Sequence, residues 1–60
     1  MNRLDIEKYV DRKVSIVLKN NYKYTTKLPS VINDVFIITD KFGHRVSIDC
    51  NMVYLITEVD

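Results

Sequence analysis

Few side chains in this sequence could do covalent or metal chemistry, and they stand alone. Cys50 is the only cysteine and His44 the only histidine. One of each falls short of the four ligands of an ordinary structural zinc site, and a single thiol excludes a disulfide within the chain. No base adjoins Cys50 in sequence to make it a nucleophile, so it reads as a small buried filler. His44, beside Gly43, reads as a solvated turn residue. Asp40 and Asp49 lack the spacing that marks paired catalytic carboxylates. The expectation is a protein without catalytic residues, metal or cofactor.

Charge is the chemistry that remains. The net charge is only +1, but its distribution is uneven. Arg12, Lys13, Lys19, Lys23 and Lys27 follow one another with no acid among them, while Arg3, Lys8, Lys41 and Arg45 face all eight acids. One basic segment thus lies inside an otherwise acidic chain. Two readings are open: lysines that guard strand edges against aggregation, or a surface for a polyanion, with phosphates held by lysines and bases stacked on neighbouring tyrosines.

The elements that must position these residues are short. Leu4, Ile6, Tyr9 and Val10 share one face of a helix over 4–10, which Asn2 or Asp5 could cap. From Val14 the period changes to two. Val14, Ile16 and Leu18 alternate with Ser15, Val17 and Lys19 in a half-buried first strand. Asn20 and Asn21 form a tight turn, since Asn tolerates positive φ. Tyr22, Tyr24, Thr26 and Leu28 then define the buried face of a second strand whose outward face carries Lys23, Thr25 and Lys27. Pro29 cannot donate to a ladder and marks a bend or edge. Val35 to Thr39 is apolar on both faces, as for a strand covered on two sides. Gly43 closes a turn at positive φ. Val46 to Asp49 is a fourth strand, Cys50 to Met52 a brief break, and Val53 to Val59 a fifth strand.

Five short strands behind a short helix predict one all-β domain over 1–60, a small closed or nearly closed barrel occupying 14–59. A chain of 60 residues hides only about 60% of the surface its unfolded form exposes. With neither disulfide nor zinc, self-association is the expected supplement to its core. No apolar run approaches the roughly 20 residues of a membrane-spanning helix, and the first residues lack a signal-peptide core. The expectation is a cytoplasmic protein with no membrane partner.

The strand pattern resembles the Sm-like family of SH3-like barrels, including its bacterial Hfq branch. The first motif of that family has the form V-x-V-x-L-K-N-G-x-x-Y-x-G-x-L-x-S, and Val14-Ser15-Ile16-Val17-Leu18-Lys19-Asn20-Asn21-Tyr22-Lys23-Tyr24 through Ser30 is similar to it. The second has the form I-R-G-x-x-V-x-x-I, and Ile48-Asp49-Cys50-Asn51-Met52-Val53-Tyr54-Leu55-Ile56 keeps its apolar spacing. The resemblance covers Leu4 to Val59. It implies a five-stranded barrel with a short N-terminal helix, assembled into a ring by pairing the fourth strand of one subunit with the fifth of the next. Val46, Ile48, Met52, Tyr54 and Ile56 are the interface candidates, Ile56 serving equally well as monomer core.

The resemblance also implies single-stranded RNA as partner, bound between the loop after the bent strand and the loop of the second motif. Here the Arg-Gly pair of the second loop is replaced by Asp49-Cys50, and Ile32 stands where the first loop carries an Asp. An aspartate repels phosphate and offers no stacking plane. The expected RNA-binding residues are therefore Lys19, Lys23 and Lys27 on the first hairpin, with Asn33, Asp34 and Asn51 as a degenerate loop site. The expected function is non-catalytic RNA binding in a ring. The alternative is a protein-interaction or assembly module that keeps the barrel and has lost the RNA site.

Overall fold

The computed structural model describes residues 1–59. Its elements are helix α1 (Arg3–Glu7), strands β1 (Lys13–Leu18), β2 (Lys23–Lys27), β3 (Val35–Thr39) and β4 (Arg45–Asp49), a single 3₁₀ turn (Cys50–Met52), and β5 (Val53–Glu58). The five strands stand where the pattern of apolar residues puts them. They do not form a continuous barrel. They make two antiparallel sheets, a three-stranded one in the order β2-β1-β5 and a two-stranded one of β3 and β4.

β1 organises the larger sheet. Its β-branched Val14 and Ile16, with Leu18, point inward and are buried, while Ser15 and Val17 lie on the other face. Each buried aliphatic side chain of this kind stabilises by about 1.5–3 kcal/mol relative to exposure. In the smaller sheet Phe36 lies opposite Ile48 and Ile38 opposite Val46, and these side chains face the same core. Ile6 from α1, Leu28, Cys50, Val53 and Ile56 complete it. No polar or charged side chain is buried among the described residues.

Left-handed backbone at the turns is supplied mainly by Asn and Asp. Asp11, Asn21, Asn33 and Asp34 all have positive φ, and Gly43 is the one glycine that does. Such residues tolerate this region because their short polar side chains bond locally. The β1–β2 turn spans Lys19 to Asn21, with the Leu18 N–H donating to the Tyr22 carbonyl at 2.8 Å and Asn21 N–H to the Leu18 carbonyl at 2.9 Å. It is one residue longer than an Asn20-Asn21 pair alone would be. A three-residue loop ending on a left-handed residue is a standard hairpin connection. Lys19 therefore sits in the turn rather than on β1, and Tyr22, which closes the turn, is 62% exposed instead of buried.

Four further expectations need correction. The helix ends at Glu7 and continues as turns, with Tyr9 N–H donating to Ile6 and Val10 N–H to Glu7. Asn2 caps it, its Oδ1 accepting from Leu4 N–H at 2.8 Å, but Leu4 itself is exposed. β2 stops at Lys27 and does not bend through Pro29, because the chain leaves the ladder once a residue without an N–H arrives. β3 is not covered on both faces: Ile37 is 54% exposed, since no layer packs on the outside of the two-stranded sheet.

The β3–β4 turn is held by Asp40. Its Oδ1 accepts from the backbone N–H groups of Phe42 and His44, each at 2.9 Å, and its Oδ2 lies 3.6 Å from the His44 imidazole. Gly43 follows at φ +85°. These bonds, the one from His44 N–H foremost, hold the Asp40 carboxyl below the usual carboxylate range. A depressed native pKa stabilises the fold above the unfolded-state value, about 3.9 for Asp, and that contribution disappears as pH falls through the native value. Asp40→Asn should therefore lower the urea midpoint at neutral pH and shrink the loss of stability on acidification below about pH 4. An identical acid limb in parent and variant would contradict this role.

Candidate nucleic-acid interface

The outward face of the three-stranded sheet is built by strand register. Lys13 lies directly opposite Lys27, Ser15 opposite Thr25, and Val17 opposite Lys23. On the other side Ser15 meets Thr57 and Val17 meets Leu55. The result is a short platform with Lys23 and Lys27 on β2 and Lys13 on β1, hydroxyls across its middle, and Val17 and Leu55 as an apolar strip. No acidic group among the described residues lies within ion-pair distance of Lys13, Lys23 or Lys27, whereas Arg3, Lys8 and Arg12 each have a partner.

The Lys13–Lys27 opposition is the sharpest feature of this face. Backbone bonds join Leu28 N–H to the Arg12 carbonyl and Leu18 N–H to the Tyr22 carbonyl, so the hydrogen-bonded pairs fall on even-numbered residues of β1. Lys13 and Lys27 form a non-hydrogen-bonded pair, the closer of the two antiparallel types. Like charges directly opposite one another destabilise a sheet. An anion placed between them relieves that repulsion.

Of the expected RNA-binding residues, the structure thus places Lys23 and Lys27 on one face, at the two ends of β2, and sets Lys13 opposite Lys27. Lys19 lies beyond the end of β1 in the turn, its N–H donating to the Met52 carbonyl at 2.8 Å. Lys13 belongs to the basic segment legible in the sequence. Its place opposite Lys27 needed the hairpin register, which depends on a turn of three residues rather than two.

Asp34 and Asn51 come together at a different place. With Met1, Asn2, Arg3, Leu4 and Cys50 they line a depression of about 370 Å³. Cys50 N–H donates to the Asp34 carbonyl at 2.8 Å, and Arg3 Nε lies 3.8 Å from the Asp34 carboxylate. The Met1 ammonium donates to the Cys50 and Val53 carbonyls at 2.8 and 3.0 Å. Asn33 and Asp34 are the two central residues of a turn closed by reciprocal bonds between Ile32 and Val35. Both have positive φ, as a type I′ turn requires. Backbone geometry therefore accounts for their residue types without a ligand. Asp49 likewise serves the backbone, its Oδ1 capping the 3₁₀ turn through Asn51 N–H at 2.8 Å. Cys50 is buried, and burial first, then the Asp34 and Asp49 carboxylates, pushes its thiol pKa up. It is a poor nucleophile in that setting.

The residues expected at a subunit interface divide in two. Ile48 and Ile56 are core side chains of the single chain, 3% and 7% exposed, while Val46 is half-buried against them. Met52 and Tyr54 are exposed. The register between β1 and β5 shifts at Val17 and Leu18, pairing Val17 with Leu55 and Leu18 with Val53. Tyr54 is the extra residue of that bulge. A bulge breaks the alternation, which is why Tyr54 and Leu55 are both solvent-facing.

No family model, curated protein or solved structure compared with this chain matches it. No group of three or more His, Cys, Asp or Glu side chains among the described residues could hold a metal ion, and no described helix is long and apolar enough to cross a membrane.

The turn reading of Asn33 and Asp34 has a direct test by urea denaturation. Alanine at either position forces a Cβ-bearing residue without a local bonding side chain into the left-handed region, at a cost of about 1–2 kcal/mol. Glycine should cost clearly less than alanine at both positions. Equal losses for alanine and glycine would mean that the side chains, not the backbone, fix these residue types.

Proposed function

We propose that this chain is a non-catalytic RNA-binding protein of Sm-like architecture, which holds single-stranded RNA on the outward face of β1 and β2. The observation that carries the reading is the Lys13–Lys27 opposition, with Lys23 on the same face at the other end of β2, all three without an acidic partner among the described residues. Neutralising phosphates with such ammonium groups supplies sequence-independent affinity and needs neither metal nor cofactor. Ser15, Thr25 and Thr57 on the same platform can donate to phosphate and ribose oxygens. The resemblance of the two strand motifs to the Sm-like family supports RNA as the polyanion. The platform differs from the loop site of that family, whose Arg-Gly pair is Asp49-Cys50 here and whose first loop is occupied by a tight turn.

The same reading includes assembly of copies, in the cytoplasm, through β4 and β5. The ladder of β1 to β5 uses the odd-numbered residues of both strands, since Val59 N–H donates to the Lys13 carbonyl. The backbone groups of Ile56 and Glu58 therefore face outward from β5. On β4 the partners of β3 are the even-numbered residues, Asp40 N–H bonding the His44 carbonyl and Cys50 N–H the Asp34 carbonyl at the two ends. Arg45, Ser47 and Asp49 face outward there. Two open edges of this kind invite pairing between copies. In that arrangement Ile48 and Ile56 contribute through core packing beneath the edge, and Met52 and Tyr54 through their exposed side chains.

One observation favours the protein-interaction alternative. Met52 at the end of the 3₁₀ turn and Tyr54 and Leu55 on β5 are exposed, and an aromatic and a methionine near an open edge suit a protein partner.

The discriminating experiment is fluorescence anisotropy with U-rich and A-rich RNA at several salt concentrations. The wild-type chain should bind at low salt and weaken linearly on a log–log plot. Lys13→Glu/Lys23→Glu/Lys27→Glu should reduce the slope by about 2, three contacts each contributing about 0.7 for a single strand, and weaken binding at every salt concentration. Unchanged affinity and slope would overturn the placement on this face. Absence of wild-type binding at low salt would overturn RNA binding and leave the interaction module.

A further inference from the structure

The two sheets leave an open seam between β2 and β3. Because β1 bonds Tyr24 and Thr26, the backbone N–H and C=O groups of Lys23 and Thr25 face away from it, toward β3. Because β4 bonds Phe36 and Ile38, those of Ile37 and Thr39 face away from it, toward β2. The two rows have matching parity but do not pair. At one end of the seam is a cleft of about 470 Å³, walled by Lys23, Tyr24 and Thr25 on one side and by Thr39, Asp40, Lys41 and Phe42 on the other. That volume falls in the range of small-molecule sites.

The chemistry of the walls is specific. Lys23 and Lys41 supply two ammonium groups that make no ion pair among the described residues. The Asp40 carboxylate accepts from Phe42 and His44 N–H within its own loop, so the walls set two positive charges against this one negative charge. Phe42 is 73% exposed, with the Lys41 ammonium 5.2 Å from its ring centroid. Tyr24 is half-buried at the opposite wall. Exposed aromatic surface, two cations and unpaired edge amides together suit a planar aromatic group that carries a phosphate and has hydrogen-bonding edges. A peptide strand fits less well, since β-strand addition draws on apolar pockets at alternate positions, and β2 offers Lys23, Thr25 and Lys27 there.

We infer that this cleft is a nucleotide subsite, taking one base of the bound strand against Phe42 and its phosphate between Lys23 and Lys41. The inference rests on the RNA-binding reading above and adds a place where the base, not only the backbone, is contacted. Lys23 belongs to both surfaces, so a strand lying on the platform of β1 and β2 reaches the cleft over the edge of β2. The unpaired backbone groups of Lys23, Thr25 and Thr39 face the edges of that base. Lys41 leaves the Phe42 face when the base arrives and moves to the phosphate.

The test compares U-rich RNA with an abasic ribose-phosphate strand of equal length, by anisotropy, for the wild-type chain and Phe42→Ala. Phe42 is exposed, so its removal leaves the core intact, and circular dichroism verifies the fold. The wild-type chain should prefer RNA to the abasic strand by about tenfold, within the range for stacking one base on one ring. Phe42→Ala should lose that preference and keep the abasic affinity and the salt slope. If Phe42→Ala binds RNA as tightly as the wild-type chain, the cleft is not a base site, while the platform reading stands. If the wild-type chain binds neither strand, both readings fall. If a Glu-rich peptide displaces RNA from the wild-type chain but not from Phe42→Ala, the cleft is a peptide site and the inference is overturned.

Discussion

Strand β1 is hydrogen-bonded along both of its edges, and the rest of the molecule depends on that arrangement. Its even-numbered residues bond to β2 and its odd-numbered residues to β5, as the end bonds from Leu28 to Arg12 and from Val59 to Lys13 show. The same alternation sends Val14, Ile16 and Leu18 into the core and Lys13, Ser15 and Val17 to the outside. Core formation and the charged platform are thus two faces of one strand. A slip of one residue would expose the apolar set and bury Lys13. The smaller sheet is attached by side-chain packing, Phe36, Ile38 and Ile48 meeting the β1 core residues, rather than by a continuous ladder.

Much of this was legible in the sequence, for identifiable reasons. Period-two alternation places β1, β2 and β4 and an apolar run places β3, while the Cys50-Asn51-Met52 break ahead of β5 is a 3₁₀ turn capped by Asp49. Leu4 and Ile37 were misplaced because apolar character does not say whether a second layer covers a given face. Tyr22 was misplaced by a single residue of turn length: with the turn at Lys19 to Asn21, parity alone no longer assigns the residue that closes it. The five expected strands are present, but they lie in two open sheets rather than in one continuous ladder. Each strand satisfies its alternation locally, but closure requires β2 and β3 to meet, and no local pattern reports that distance.

The site was less legible than the fold, and for a different reason. A basic run between Arg12 and Lys27 is visible to any reading of charge. Its division into Arg12, paired with Glu58 at 3.2 Å, and Lys13, Lys23 and Lys27, which have no acidic partner among the described residues, depends on cross-strand register. Asn33 and Asp34 illustrate the reverse problem. Polar residues in a loop suggest a ligand, whereas here their positive φ explains them. Phe42 carries no signal in the sequence beyond being an aromatic beside a glycine. Its exposure beside a cleft appears only in the fold.

The central claim is that a polyanion is held by the outward face of β1 and β2. The most direct measurement is an amide chemical-shift titration of the isotopically labelled protein with a short U-rich RNA. The account predicts shifts concentrated at Lys13, Ser15, Lys23, Thr25 and Lys27, with little change at Asn33, Asp34 and Asn51. Shifts centred on those three loop residues, or no shifts at low salt, would contradict it.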